Sequence, residues 1–577
     1  MLEPSHDAQL IVAADASGAV VHCAQGLSFW GGVDPDSGAI IDAHHPNCGA
    51  ELAGRIVLMP SSRGSCSGSG VLLQLALSSK APAALVFCEN EETLTLGAVI
   101  ADRLFQKPVA VLRLSRALFE ALAASTQASL KGEALRFGQR QITLRRPARD
   151  GLALSAADRK SLTGENGLPQ QIAMEVTCTM AAAQGADGLI DVSRGHIDGC
   201  ILAHDANLIF AETMQSLGAR TKIPTTINAI SVDREHWMSQ GVDKDFGSRA
   251  SRLADAYVAM GALPTFTCAP YLLDDVPGAD EAIGWSESNA VIYANSVLGA
   301  RTEKHPDYLD LFIAMTGRAP NTGVYQTENR RADCVINVEL PDGADESVWP
   351  MLGWLAGMKS PNAIPLITGL EAAKPTDDDL KALCAAFGTT SAAPMLSIAG
   401  HTPESHLPPK THARTEQITS ADLLTLWRDF NQGNERTPGE TLTPVDLVAI
   451  GSPHASLTEC RRVADLIQAD KRQLATHLIL TVGRQVHAAA EREGIARTLT
   501  DAGAQLIADL CWCSITEPVY PAEARVVMTN SGKYAHYAQA LTGREIRFGS
   551  LEDCVEAAIT RHASAAPPEW LTTRESQ

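Results

Sequence analysis

The stretch RIVLMPSSRGSCSGSGVLLQLAL, residues 55–77, joins an apolar run, a loop rich in glycine and serine, and a second apolar run. The first run predicts a buried strand and the second a helix, because the small residues between them interrupt regular structure. Similar strand-like runs occur at 9–15, 83–88 and 108–113. We therefore predict a domain of β/α type over residues 1–140.

After residue 151 the pattern changes to helical stretches that alternate with short apolar runs. This alternation is typical of α/β architecture with largely parallel sheets. The apolar runs are GLIDVS (188–193), DLVAIGS (446–452), THLILTV (476–482), QLIADLCW (505–512) and ARVVMT (524–529). The stretch QITLRRPARDG, 141–151, predicts a linker because it combines arginines, a proline and a glycine. We therefore predict a larger α/β part over 152–577.

Composition limits the classes of function. The formal net charge of −20 argues against nucleic-acid binding, which needs a concentrated positive face. No apolar run approaches the roughly 18 residues that a membrane span needs. The opening MLEPSHDAQL lacks the basic and apolar pattern of a signal segment. We therefore expect a cytoplasmic protein without a membrane or nucleic-acid partner, and the odd number of cysteines, 13, fits a reducing compartment.

The loop at 60–70 is a candidate anion site. A strand, a Gly/Ser loop and a helix start present backbone N–H groups and the positive end of a helix dipole. Arg63 adds a positive charge, and Ser65 follows Gly64, so its hydroxyl stands free of bulky neighbours. A serine-rich turn without a ligand is the alternative, since neither a P-loop ending nor Gly-x-Ser-x-Gly is present.

Several stretches, taken in order, resemble the aconitase X family. They are GLSFWGGVDPDSGAIIDAHHP (26–46), LTGENG (162–167), LIDVSRGHIDGC (189–200), PTTINAISVD (224–233), PTFTCAPYL (264–272), GWSESNAVIYANSVLGART (284–302), TGRAP (316–320), GSPHASLTE (451–459) and TNSGKYAHY (529–537). The resemblance implies an aconitase-like, multi-lobed catalytic part with parallel sheets, preceded by an N-terminal swivel β/α domain. It also implies an iron–sulfur cluster and a dehydration reaction.

The family has two branches. In the two-chain branch the swivel and the catalytic part are separate subunits that act on a phosphorylated mevalonate, whereas the single-chain branch acts on cis-3-hydroxy-L-proline. This chain is fused, and HIDGC at 196–200 resembles the single-chain form. The resemblance implies a monomeric hydro-lyase that converts this hydroxy amino acid to Δ1-pyrroline-2-carboxylate. A phosphomevalonate-like substrate and an iron-responsive binding protein are the alternatives.

Four cysteines are candidate iron ligands. Cys268 in PTFTCAPYL and Cys511 match ligand positions of the family. Cys513 follows in Cys-Trp-Cys, where an extended strand would point both thiols to one side. Ser452 stands where the two-chain branch has a cysteine, so a [2Fe–2S] cluster, expected in the single-chain branch, fits better than a cubane. Its third ligand is Cys513 or Cys200, and a buried core thiol is the alternative for each cysteine taken alone.

Polar residues of the family stretches are candidate substrate ligands. For GWSESNAV the alternative is a helix cap, and for Lys533 it is a solvated surface lysine. The candidate anion ligands are Arg63, Arg318 and Lys533, and we assign no role to His401 or His454. The full set of predicted substrate-binding residues is His196, Asp198, Thr226, Asn228, Asp233, Ser286, Glu287, Ser288, Arg318 and Lys533.

Family analogy assigns Ser65 as the base that removes the Cα proton, while iron binds the departing hydroxyl as a Lewis acid. A serine is ordinarily too weak a base near neutral pH. We expect its alkoxide to be stabilised by Arg63, by the N–H groups of the loop and by the terminus of the following helix. Closure of the swivel domain over the cluster would exclude water.

Overall fold

In the computed structural model, which describes residues 8–431, 442–470 and 472–572, the stretch at 55–77 forms strand Ile56–Leu58, a loop and helix Gly68–Leu77. The α/β class with parallel sheets that the sequence predicts is confirmed. The apolar runs predicted as strands are strands to within three residues at each end, except that the run at 505–512 ends as a strand at Ala508, so Cys511 and Cys513 follow it in a turn and not in an extended strand.

The N-terminal sheet has eight strands among the described residues. Its centre is parallel, and an antiparallel strand closes one edge while an antiparallel meander closes the other. In spatial order the strands are Ala8–Val12, Ala110–Leu114, Ala84–Phe87, Ile56–Leu58, Ala16–His22, Gln127–Lys131, Ala134–Phe137 and Arg140–Thr143. Helices Gly68–Leu77 and Thr93–Phe105 connect parallel strands, and helix Arg116–Ala123 leads from strand Ala110–Leu114 to the meander.

The sheet pairing continues into the stretch predicted as a linker. Strand Arg140–Thr143 pairs with its neighbour in the meander. Beyond it, the N–H of Leu10 donates to the carbonyl of Arg145 at 2.8 Å, and the N–H of Arg145 donates to that of Ala8 at 2.9 Å. The division into domains stays a prediction, but regular hydrogen bonding continues at least to Arg145.

The first lobe of the larger part, residues 152–320, is mainly helical. A three-stranded parallel sheet (Thr225–Ile227, Gly195–Ile197, Gly284–Trp285) and an antiparallel pair (Leu189–Asp191, Arg318–Pro320) lie among its helices. The helices are Ala156–Leu162, Leu168–Gln184, Asp205–Ser216, Lys244–Ala259, Ser288–Tyr293 and Leu309–Thr316, with a 3₁₀ turn at Pro270–Leu272 and a π turn at Ala294–Leu298. Ser155 caps the first of these, and Asp158 completes a capping box.

The second lobe, 323–430, contains a four-stranded parallel sheet. In spatial order its strands are Ser397–Ile398, Pro365–Thr368, Cys334–Val338 and Arg414–Ile418. Its helices are Val348–Lys359, Asp377–Thr390 and Ser420–Phe430, and 3₁₀ turns lie at Gly323–Tyr325 and Thr327–Arg330.

The third lobe, 442–572, contains a five-stranded parallel sheet. In spatial order its strands are Gln505–Ala508, His477–Val482, Leu447–Ile450, Val526–Thr529 and Glu545–Phe548, and a separate antiparallel pair joins Leu442–Pro444 to His562–Ser564. Its helices are Leu457–Asp470, Arg484–Arg492, Ile495–Asp501, Gly532–Thr542, Leu551–Thr560 and Glu569–Thr572.

The N-terminal domain is packed tightly on the first lobe. Helix Gly68–Leu77 contacts helix Asp205–Ser216, and Thr93–Phe105 contacts Leu168–Gln184. Buried apolar residues from both units form one continuous cluster. Burial of this shared surface places the loop before helix Gly68–Leu77 against the larger part. Across the described residues, we find no helix with the length and apolarity that crossing a bilayer requires.

Candidate active site

A cavity of about 820 Å³, including its open mouth, lies where the N-terminal domain meets the three lobes. Each unit contributes to its wall: Ser65 comes from the N-terminal loop, Cys268 and Glu287 from the first lobe, Thr389 from the second and Cys511 from the third. The cavity therefore exists only when all four units are assembled.

Ser65 is half-buried in the cavity wall, two residues before Ser67, the cap of helix Gly68–Leu77. The N–H of Ser67 donates to its hydroxyl oxygen at 3.3 Å. Gly64 has a φ of +88°, and a Cβ there would meet the hydroxyl of Ser28 at 2.6 Å. The turn that exposes Ser65 thus requires glycine at 64.

Contacts of Cys66 and Ser69 join this loop to the first lobe. The Cys66 thiol donates to Asp198 Oδ2 at 3.0 Å and also lies 3.7 Å from the Ser286 carbonyl. The Ser69 hydroxyl donates to the Asp307 carbonyl at 3.2 Å, and the N–H of Asp307 donates to the Cys66 carbonyl at 3.4 Å. These bonds fix the position of Ser65 relative to the first lobe.

Three of the predicted cysteines meet in the cavity wall. Cys268 and Cys511 are buried against each other and Ala229, and Cys513 packs on them. Hydrogen bonds from the Cys268 and Cys513 thiols hold the pKa of Cys511 well below its usual range. Burial and the Cys511 sulfur raise the pKa of Cys268. The trio therefore favours a thiolate at its centre.

The donor set of this trio fits an iron–sulfur cluster. Thiolates are the usual protein ligands of such clusters, and three sulfurs converge here beside Ala229. Cys200 lies elsewhere, in the core shared by the N-terminal domain and the first lobe, and its thiol lies 3.4 Å from the Ile197 carbonyl. Ser452 is buried, and its hydroxyl has no hydrogen-bond partner among the described residues.

Two predicted polar residues form an ion pair in the wall. Lys533 Nζ lies 2.9 Å from Glu287 Oε1, and both side chains are 12% exposed. Burial acts to raise the pKa of Glu287, but the Lys533 ammonium outweighs it and holds that pKa below its usual value. Lys533 is thus not a solvated surface lysine. Asn289, which also lines the cavity, donates to Glu287.

Asp198 and Asn228 also line the cavity, as does Ser288 at the start of helix Ser288–Tyr293. The Asn228 amide donates to Asp198 Oδ1. Burial, and then the charges of Asp307 and Glu287, raise the pKa of Asp198. Burial and Asp307 also raise the pKa of Asp310 to about 7.

Two arginines predicted to bind anions are engaged elsewhere. Arg318 pairs with buried Asp158 at 3.1 Å and with Asp191 at 2.7 Å, in the first lobe, and does not line the cavity. Arg63 is 48% exposed and pairs with Asp42 at 3.2 Å. The sequence motifs located two positively charged side chains, but carboxylates elsewhere in the chain bind both of them.

Four other candidates lie outside the cavity lining. His196 Nδ1 lies 2.7 Å from the Thr226 hydroxyl, and burial lowers the pKa of His196 to about 3, which keeps the ring neutral. Asp233 accepts N–H groups of the turn that follows it. Ser286 is fully buried and contributes its carbonyl to the Cys66 contact.

The sequence patterns gave no role to Cys66, Asp307 or His454, although all three make contacts around the site. The N–H of His454 donates to Cys268 Sγ at 3.3 Å, and its Nε2 lies 2.6 Å from the Leu510 carbonyl. His454 therefore connects the loops that carry Cys268 and Cys511. His454 lies in the family stretch GSPHASLTE, but no spacing in the sequence reveals these bonds.

Models of the aconitase X family match four successive parts of the chain: the swivel domain at 5–137, the first domain at 151–328, the second at 332–428 and the third at 445–560. A cis-3-hydroxy-L-proline dehydratase of Pseudomonas aeruginosa is 45% identical over 574 residues, 97% of this chain and 98% of the relative. The chain belongs to the aconitase X family.

Other aconitase X relatives extend this result. A cis-3-hydroxy-L-proline dehydratase of Hypocrea jecorina is 42% identical over 97% of this chain and 96% of its own. The large subunit of a phosphomevalonate dehydratase from Methanothermobacter thermautotrophicus is 31% identical over 68% of this chain and 94% of its own. The crystal structure of Thermococcus kodakaraensis aconitase X in its holo-form superposes with a TM-score of 0.64 and 28% identity, covering 70% of this chain and all of that one.

We predict that Arg318→Met destabilises the protein without weakening substrate binding. It leaves the Asp158 carboxylate, 3% exposed, without its cation, which costs about 3 kcal/mol. The measurements are the thermal unfolding midpoint and KM. Arg497→Met, which removes an exposed pair with Asp501, is the control and should leave both unchanged. An unchanged midpoint with a raised KM would contradict the structural role.

Proposed function

We propose that the protein is a hydro-lyase that dehydrates cis-3-hydroxy-L-proline to Δ1-pyrroline-2-carboxylate. The observation that carries this proposal is that Ser65 and the cysteine trio, from distant parts of the sequence, line one cavity. The two relatives named for this activity match the chain over 97% of its length, which supports the same substrate.

The reaction balances without a redox partner. Ser65 takes the proton from Cα, the C3–O bond breaks, and hydroxide leaves as water after taking up a proton. The electron pair of the Cα–H bond forms the C2=C3 double bond of an enamine. Transfer of a proton from nitrogen to C3 then gives the cyclic imine, Δ1-pyrroline-2-carboxylate.

The surroundings of Ser65 support its assignment as the base. The Ser67 N–H already donates to its oxygen, and the helix that starts at Gly68 directs its positive dipole end toward the same loop. Both would stabilise a developing alkoxide. Arg63 is held by Asp42 and does not line the cavity, so backbone groups carry more of this stabilisation than the motif suggested.

We propose that Cys268, Cys511 and Cys513 hold a [2Fe–2S] cluster. When bound there, the cluster would supply a Lewis acid for the leaving hydroxyl. Cys513 rather than Cys200 is the third ligand, because it packs on the other two whereas Cys200 lies in a different core. Ser452, at the position of a cysteine in the two-chain branch, favours a cluster smaller than a cubane.

A phosphorylated substrate is less compatible with this wall. Lys533 is the one lysine or arginine among the described residues that line the cavity, and Glu287 already neutralises it. A phosphate group carries close to two negative charges and would need further cations. An RNA-binding regulator is also disfavoured by the net charge of −20.

We also propose that the protein acts as a monomer in the cytoplasm. All 13 cysteines are free thiols, as a reducing compartment requires. The swivel domain and the three lobes that build the cavity belong to one chain, so the site is complete without a second subunit. Size-exclusion chromatography with light scattering tests the monomeric state.

We predict turnover of cis-3-hydroxy-L-proline by anaerobically purified protein, with trans-3-hydroxy-L-proline as the comparison. Imine formation is followed with an aldehyde reagent such as o-aminobenzaldehyde. The trans isomer places its hydroxyl on the opposite ring face and should react at least about 100-fold more slowly, because the leaving group is then misplaced. Equal rates, or no turnover of the cis isomer, would contradict the substrate assignment.

We predict that Ser65→Ala lowers kcat by about 10²–10⁴-fold, the usual contribution of a general base. The unfolding midpoint and the visible spectrum should not change, because the Ser65 hydroxyl makes one weak contact with a neighbouring N–H. Ser61→Ala in the same loop is the matched control, since its hydroxyl donates to the Asn90 carbonyl instead. A kcat of the alanine variant within a few-fold of wild type would eliminate Ser65 as the base.

We predict that Cys268→Ala, Cys511→Ala and Cys513→Ala each lose iron and visible colour. Cys200→Ala should retain both, and Cys554→Ala, a buried core thiol of the third lobe, is the control for cavity effects. Iron and sulfide are measured per chain after anaerobic reconstitution. Loss of iron in Cys200→Ala but not in Cys513→Ala would reverse the choice of third ligand.

A further inference from the structure

Three buried carboxyl groups next to the N-terminal loop lack a cationic partner. Asp198, Asp307 and Asp310 are 7%, 3% and 0% exposed. Their described hydrogen-bond donors carry no positive charge: thiol, hydroxyl, amide and backbone N–H groups. Asp307 Oδ1 has no partner among the described residues. Uncompensated carboxyls in a desolvated site favour the uptake of a proton or a cation.

Asp198 is the one of the three that lines the cavity. The other carboxylate of the wall, Glu287, is already paired with Lys533 at 2.9 Å. Lys304 is close enough to Asp198 to influence it electrostatically, yet forms no ion pair with it among the described residues. A ligand that brings positive charge into the cavity therefore finds one carboxyl without a counter-ion.

The position of Asp198 specifies which part of a ligand it can reach. Its Oδ2 accepts the thiol of Cys66, the residue next to Ser65, at 3.0 Å. In an α-amino acid, the nitrogen and the hydrogen removed by the base are bonded to the same carbon. The binding group for the nitrogen must therefore lie beside the base, and Asp198 is the carboxyl beside Ser65.

We propose that Asp198, supported by Asp307, binds the secondary ammonium group of a cyclic α-amino acid and so selects amino acids over hydroxy acids that lack nitrogen. This inference rests on the dehydratase function proposed above. A bound ammonium would supply the positive charge that the three carboxyls lack and would use lone pairs of Asp198 that the Cys66 and Asn228 bonds leave free.

A divalent metal is a weaker fit for the same position. Cys66 Sγ and one oxygen each of Asp198 and Asp307 lie within 4.8 Å of one another, close enough to share an ion. However, burial and the adjacent carboxylates raise the pKa of the Cys66 thiol well above its usual value. The thiol donates its hydrogen to Asp198, whereas metal ligation requires a thiolate.

The test compares two ring acids that differ at one atom. L-Proline carries the ammonium group, and (S)-tetrahydrofuran-2-carboxylate carries an oxygen in its place. Dissociation constants are measured by calorimetry on the intact, iron-loaded protein, where neither compound can lose water. We expect L-proline to bind at least about 30-fold more tightly, the lower end of the contribution of a desolvated charge pair.

Asp198→Asn should reduce this preference to about threefold or less, because a neutral amide cannot pair with the ammonium. Glu91→Gln is the matched control, since Glu91 is also 7% exposed but caps a helix of the N-terminal domain. It should keep the wild-type preference. If Asp198→Asn does not fold, the two ligands compared on the wild-type protein still decide the proposal.

Equal binding of the two acids to wild type, or a full preference in Asp198→Asn, would overturn the proposal. So would stoichiometric Mn²⁺ or Zn²⁺ binding that Asp198→Asn abolishes and that L-proline cannot displace. A strong preference for L-proline together with no turnover of cis-3-hydroxy-L-proline would support the ammonium site while refuting the dehydratase proposal. The two failures are thus distinguishable.

Discussion

The site depends on a short set of contacts between the N-terminal domain and the larger part of the chain. Ser65 belongs to the N-terminal domain and the cysteine trio to the first and third lobes, so no local structure holds them together. Apolar burial along helices Gly68–Leu77 and Thr93–Phe105 brings the units into contact. The bonds of Cys66 and Ser69 with the first lobe then fix the loop in one orientation. Apolar burial does not fix the relative orientation of the two surfaces, whereas hydrogen bonds do, because they require a defined geometry.

The same contact removes water from the groups around the cavity. Burial raises the pKa values of Asp198 and Cys66, and the Glu287–Lys533 pair stays ionised because its partners are adjacent. Charges in such a setting interact more strongly than in water. On one side of the wall, Glu287 and Lys533 neutralise each other. On the other side, Asp198 has only uncharged hydrogen-bond donors. This asymmetry gives a small polar ligand a preferred orientation.

Much of this architecture was predictable from the sequence. Apolar runs and small-residue turns identified the strands and the loop at 60–70, because these patterns reflect local burial and backbone freedom. The family stretches identified Cys268, Cys511, Glu287 and Lys533, which do line the cavity. The ion-pair partners of the arginines were not predictable from the sequence. Arg318 and Arg63 pair with Asp158 and Asp42, and which carboxylate reaches a guanidinium depends on tertiary packing rather than on motif.

Cys66 shows most clearly which kind of contact the sequence does not reveal. It directly follows the candidate base Ser65 in a quoted motif, yet it carried no chemical signal, since a lone cysteine is usually a buried core thiol. Its importance arises because Asp198 approaches from 132 positions away. One hydrogen bond adds little net stability, but breaking this one leaves a buried carboxyl with one donor fewer. A contact of this type determines how the loop docks on the first lobe, because losing it leaves a buried polar group short of a hydrogen-bond donor. The fit of the swivel domain to the lobes therefore depends on satisfied polar groups as much as on apolar area.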